Sequence, residues 1–147
     1  MRRILPPMLL IICVSIMIVV HFILPSIKIL RFPFNLLGIA TFCIGIWMSK
    51  LGSDFFEKKK TTVMTFDTPS VLVKEGLYKY SRNPMYLGFA FIVIGIWMLM
   101  GSLFTLFPVT LFLIVMDRYY IRFEENMLHR TFGDEYLEYK KQVRRWI

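Results

Sequence analysis

From Asn83 to Met116 the chain carries no charged side chain. As one straight helix rising about 1.5 Å per residue, that stretch would reach about 50 Å, well past a hydrocarbon core of about 30 Å. It therefore has to turn. Gly101-Ser102 offers the place, dividing it into Met85 to Met100 and Leu103 to Met116, each about one short span, with Pro108 able to bend the second. The expected result is a tight helical hairpin with an uncharged tip and two polar feet. Arg82 stands at one foot, and Asp117, Arg118, Arg122, Glu124 and Glu125 stand at the other. Folding the hairpin brings the two clusters together.

Composition agrees with a membrane setting. Hydrophobic residues make up 56% of the chain, and several uncharged runs approach the length of a bilayer span, which is too apolar for an ordinary soluble domain. At 147 residues the chain reads as a single membrane domain, without room for a separate soluble Rossmann-type domain. The net charge of +8 is explained by basic residues flanking apolar spans and facing anionic headgroups, and no nucleic-acid motif accompanies it. Cys13 and Cys43 both lie inside apolar runs, so they read as small core residues rather than a disulfide or a metal site.

In order, Met1-Arg2-Arg3 and the apolar run from Ile4 to Leu24 imitate a signal peptide. No small-residue cleavage site follows, and a retained first span over 4–24 is expected, with His21 interfacial. A connection with Lys28 and Arg31 leads to a second span at about 34–50. Gly38 and Gly45 share a face of it. Leu36 to Met48 and Tyr86 to Met98 have eight identities at a constant offset of 50, including the glycine pair. These helices are expected to pack through their glycine faces. Lys and Arg number two before the first span, two in the first connection, seven from Lys50 to Arg82, none at the hairpin tip and seven from Arg118 onward. Positive-inside topology then predicts four spans, at about 4–24, 34–50, 85–100 and 103–116, with both termini and the segments 51–84 and 117–147 cytoplasmic.

The central segment contains Lys58-Lys59-Lys60, which reads as a headgroup anchor, a Thr-rich stretch, and Val71-Leu72-Val73, a short extended piece turned by Glu75-Gly76. In the tail, Leu128, Phe132, Tyr136, Tyr139, Val143 and Trp146 form one apolar helical stripe, with a break and restart at Thr131-Phe132-Gly133-Asp134. An amphipathic helix lying on headgroups would account for the stripe. It does not account for Glu124-Glu125 so near the membrane exit, because carboxylates there are costly unless paired or used.

Val71-Leu72-Val73 with Gly76 and Tyr78, then Arg82-Asn83-Pro84-Met85-Tyr86-Leu87-Gly88, then Glu124-Glu125, Leu128, Phe132-Gly133 and Tyr136 to Tyr139 together resemble the isoprenylcysteine carboxyl methyltransferase family and its phospholipid methyltransferase relatives. The resemblance runs from about Val71 to Val143. It implies an all-α integral membrane enzyme using S-adenosylmethionine, with a cytoplasmic cofactor site built from the central segment, the hairpin foot and amphipathic helices of the tail. Carried over by position, cofactor contacts fall on Ser70, Val71, Leu72, Val73, Gly76, Tyr78, Asn83, Pro84, Met85, Tyr86 and Glu125. Glu124, Arg122 and Arg82 fall on the catalytic side. The chain departs from the family in two places. Asn83 stands where members often have His, and Asn cannot titrate, so it is no general base. Tyr120 aligns with the acceptor-side Arg of eukaryotic members, leaving Arg118 or Arg122 as substitutes.

The residues themselves support methyl transfer. A methyl sulfonium already carries its leaving group, so the protein has mainly to align donor and acceptor and exclude water, and no metal is needed. Tyr78 and Tyr86 offer aromatic faces for the cation, worth about 0.5–2 kcal/mol each. Arg82 suits either a cofactor carboxylate or a pair with Glu124 or Glu125. Pro84 suits the first turn of a helix. A carboxylate acceptor needs only positioning, whereas an amine acceptor would recruit Glu124 or Glu125 as base. The lipid-facing hairpin points to a lipophilic small-molecule or lipid-linked acceptor. Two alternatives remain: a steroid-reductase-like membrane enzyme using NADPH, and a non-catalytic membrane scaffold.

Overall fold

The computed structural model describes residues 4–24, 27–58 and 69–147. Met1-Arg2-Arg3, Pro25, Lys59-Lys60 and the Thr-rich stretch that follows lie outside the described residues. Those described are helical, with no named strand among them. The helices are α1 (Pro6–Ile23), α2 (Leu37–Lys58), α3 (Pro84–Met100), α4 (Leu106–Val115), α5 (Arg122–Phe132) and α6 (Asp134–Gln142). Pro6–Ile23 and Phe34–Lys58 are long and apolar enough to cross a membrane, and Pro84–Met100 is a shorter apolar helix. Ile11, Val19, Phe22, Ile39, Trp47, Phe107, Leu111 and Ile114 are exposed. That girdle is apolar where a soluble protein would be polar.

The expected glycine packing of α2 against α3 is present. A Cβ built on Gly38 would sit 2.5 Å from the carbonyl oxygen of Gly95, and one on Gly45 would sit 2.6 Å from that of Gly88. Only hydrogen fits at these positions. The face continues at Gly52, against Met85, because α2 runs on to Lys58 instead of ending near Lys50. Lys50, Asp54 and Glu57 hide this extension from a hydropathy reading, yet Phe56 stacks edge-on against Tyr78 with ring centroids 5.4 Å apart. Cys13 is buried as expected, but Cys43 is exposed, since it lies on α2 away from the glycine face.

The hairpin turns where the sequence requires. Gly101 has φ +62° and closes α3, its N–H bonding Trp97 O, a left-handed cap that glycine adopts without a Cβ clash. The tip is held by Trp97 Nε1 and Thr105 Oγ1, both donating to Ser102 O at 3.0 and 2.9 Å. Ile29 N–H donates to Gly101 O and Leu103 N–H to Ile27 O, so the first connection lies against the tip. Pro108 sits in the first turn of α4, where a missing N–H is tolerated, and does not bend it mid-span.

No helix end occurs at Met116. α4 passes through a π-helical turn, Met116–Ile121, directly into α5. Gly133, with φ +51°, then breaks the chain before α6. The apolar stripe of the tail faces inward, not toward headgroups. Tyr136, Tyr139 and Val143 form a core with Leu72, Leu128 and Phe132 packed around it, and Trp146 packs against the main core of α1, α3 and α4. Val71–Val73 form no strand, but the expected turn is present, with Gly76 at φ +60° opening a short 3₁₀ turn, Gly76–Lys79.

Candidate active site at the foot of the hairpin

Helix α3 starts with Pro84 at its first position and Asn83 as N-cap residue, which fixes the directions of the neighbouring side chains. Asn83 is buried, and its Nδ2 donates to Arg145 O at 3.1 Å. Tyr86 points from the first turn toward α5, where its hydroxyl donates to Glu124 Oε1 at 2.5 Å. Successive residues on a helix point about 100° apart, so Glu124 and Glu125 serve different neighbours. Glu124 faces the cavity described below, while Glu125 turns to Arg82 and Arg145.

Arg82 takes the structural one of its two expected partners. Its Nη2 lies 2.7 Å from Glu125 Oε1, and both side chains are buried. Its Nη1 donates to Val143 O at 2.6 Å and Lys140 O at 3.1 Å, capping the end of α6. Arg145 approaches Glu125 from the other side, Nη2 to Oε2 at 2.6 Å, and reaches Asp117 with Nη1 at 3.2 Å. Burial alone would raise the Glu125 pKa. The hydrogen bonds and charges of Arg145 and Arg82 overcome that effect and hold the carboxyl below its ordinary value.

Between the hairpin foot, the end of α2, the central segment and α5 lies a cavity of about 370 Å³, within the range of small-molecule sites. Of the residues expected in the site, it is lined by Val71, Leu72, Val73, Tyr78, Arg82, Asn83, Met85, Tyr86 and Glu124. Ser70 is exposed beside it, and Gly76 packs under Phe55. Pro84 is buried in the α3 start, and Glu125 is buried in the ion pairs. Arg122 is exposed and is not part of the lining.

Sequence reasoning did not place Leu5, Pro6 and Pro7 at one end of the cavity or Phe56 and Phe89 in its walls. The N-terminal turn of α1 is held there by Tyr120, whose hydroxyl donates to Ile4 O at 2.8 Å. No local pattern signals that contact. Tyr139 also lines the cavity and donates its hydroxyl to Tyr78 O at 2.7 Å. Burial raises the pKa of Tyr78, with the Glu124 charge adding to it, and burial raises Tyr139 likewise. Both stay protonated near neutrality, and the Tyr139 hydroxyl keeps the bond it donates.

The chemistry available is that of an aromatic-walled pocket with one phenol–carboxylate pair. Tyr78 and Tyr86 present rings to a cation, and Glu124 can accept a proton or orient a donor group. Among the described residues no group of three His, Cys, Asp or Glu could hold a metal ion. These features fit a sulfonium cofactor: a cation would meet aromatic faces in a largely apolar enclosure.

Comparison with known proteins points the same way. The family model for phospholipid methyltransferases matches residues 34–135. The chain is 32% identical over 139 residues to the protein-S-isoprenylcysteine O-methyltransferase of Saccharomyces cerevisiae, covering 86% of this chain and 56% of that protein. It is 39% identical over 75 residues to the protein of the same name in Schizosaccharomyces pombe, covering 50% of this chain and 31% of the relative. An uncharacterized protein of Haemophilus influenzae is 36% identical over 63 residues. The chain thus spans about half the length of the budding-yeast relative. No solved structure matches it. The matched segment includes all of α2 to α5 and most of the cavity wall, and by that match the chain belongs to the phospholipid methyltransferase family.

Proposed function

We propose that the chain is an integral membrane methyltransferase. In this reading S-adenosylmethionine is the donor, and the acceptor is lipophilic, with a prenylated cysteine carboxylate as the default. The observation that carries the reading is the cavity at the hairpin foot, with its aromatic walls and the Tyr86–Glu124 hydrogen bond, inside the segment that matches the family. The two yeast relatives named for isoprenylcysteine methylation support the acceptor class.

When bound, S-adenosylmethionine supplies a methyl group on a sulfonium that already carries its leaving group. The protein's part is alignment and exclusion of water. Tyr78 and Tyr86 would face the cation, while Val71, Leu72, Val73 and Met85 would pack around the uncharged parts. Asn83 organises the start of α3 rather than exchanging protons. Glu124 borders the acceptor, its orientation held by the Tyr86 hydroxyl. The chain crosses the bilayer four times as one domain, with the cavity at the cytoplasmic face, a topology supported by the uncharged tip and the basic feet.

One observation favours a second acceptor class. Arg122, a candidate cation for an acceptor carboxylate, is exposed outside the cavity lining, while the charge of Arg82 is held by Glu125. An amine acceptor, as in an aminophospholipid, would instead use Glu124 as base. Transfer of labelled methyl groups to a farnesylated cysteine and to phosphatidylethanolamine, compared in the same nanodisc preparation, separates the two. Labelling of the farnesylated cysteine alone supports the default, labelling of the phospholipid alone replaces it, and labelling of neither with an active donor site removes both acceptors.

A further inference from the structure

Residues Val143 to Trp146 run back across the hairpin foot and bond to the segment that leads into α3, to the π turn and to α5. Arg82 N–H donates to Arg144 O at 3.0 Å, and Arg82 Nη1 donates to Val143 O. Arg145 O accepts from both Asn83 Nδ2 and Ser81 Oγ, at 3.1 and 3.4 Å. The same residue's guanidinium spans Glu125 on α5 and Asp117 in the π turn. Trp146 Nε1 donates to Asp117 Oδ1 at 2.9 Å. Arg145 does not line the cavity. Its backbone holds Asn83, which lines the cavity and starts α3. Its side chain holds Glu125, the neighbour in sequence of Glu124.

We propose that Arg145 is a positioning residue: through this strap it sets the register between the α3 start and α5, and hence the spacing of Tyr86 and Glu124 across the cavity. The inference deepens the methyltransferase reading and rests on it for its kinetic part. The geometry demands a planar, forked cation. A guanidinium can engage two carboxylates from different nitrogens at once, whereas an ammonium is a compact point charge.

The test compares the parent with Arg145→Ala, Arg145→Lys and Lys141→Ala, the last altering an exposed surface pair with Glu138. Amide hydrogen exchange over residues 81–87 and 120–128 is read together with S-adenosylmethionine affinity, KM and kcat per folded molecule. Arg145→Ala should exchange at least tenfold faster in both segments and lose at least tenfold in kcat. Arg145→Lys should recover the melting temperature but not kcat, and Lys141→Ala should match the parent. Parent-like kcat in folded Arg145→Ala, or full rescue of kcat by Lys, would overturn the positioning role. Exchange needs no ligand, so faster exchange in Arg145→Ala beside a parent that does not bind S-adenosylmethionine would sink the methyltransferase reading while leaving the strap intact. Unchanged exchange would sink the strap alone.

Discussion

At the residue scale, the site turns on two adjacent carboxylates with opposite duties. Glu125 is a buried anion between two guanidiniums, and removing one partner of a buried pair costs about 3–5 kcal/mol. Glu125→Gln should therefore destabilise the protein by about 3 kcal/mol in thermal unfolding. Because its folded pKa lies below the ordinary value of 4.5, the stability it supplies is fully present above that value. It is lost as pH falls through the folded pKa, and the variant should lack this part of the acid dependence. Glu124 lines the cavity and, in the proposed function, borders the acceptor. Glu124→Ala should leave donor binding intact and lower turnover. Tyr86→Phe keeps the ring but loses a hydrogen bond to a carboxylate, worth about 1.5 kcal/mol or more, so turnover should fall about tenfold. Equal kcat in parent and both variants would remove this pair from the chemistry.

At the element scale, the fold depends on the α2–α3 pairing and on an unbroken α4–α5. Gly45→Ala places a methyl group against the Gly88 carbonyl, and the two backbones would have to part, at a cost of about 1–3 kcal/mol. A substitution at exposed Ile44 should cost little by the same detergent unfolding measurement. This pairing was legible in the sequence because glycines at matched heptad spacing, repeated at an offset of 50, leave few other uses for the face. The hairpin turn was legible for a simpler reason: the uncharged stretch is too long for a bilayer. Two features were hidden. Charges on α2 conceal that its last turns wall the cavity, and a π turn leaves no hydropathy mark, so the join at Met116 looked like an end. The site was legible as a set of residues, not as a division of labour. Arg82 takes Glu125 because α6 ends beside it, a tertiary fact that no spacing in the sequence reports. The same holds for Arg145, whose partners Asp117 and Glu125 are 28 and 20 residues away.

At the scale of the whole molecule, an apolar exterior, a glycine-packed helix pair and a hairpin with polar feet surround the cavity, and the proposed topology would put it where bilayer and water meet. A lipophilic acceptor and a water-soluble donor can reach such a place from opposite sides. The aromatic walls and the family relationship both bear on the donor, whose identity separates a methyltransferase from a nicotinamide enzyme or a scaffold. The most direct measurement is calorimetric titration of the detergent-purified, folded protein with S-adenosylmethionine and, separately, with NADPH. S-adenosylmethionine should bind, with S-adenosylhomocysteine competing and NADPH giving no heat. Binding of NADPH alone, or of neither, would contradict the methyltransferase reading.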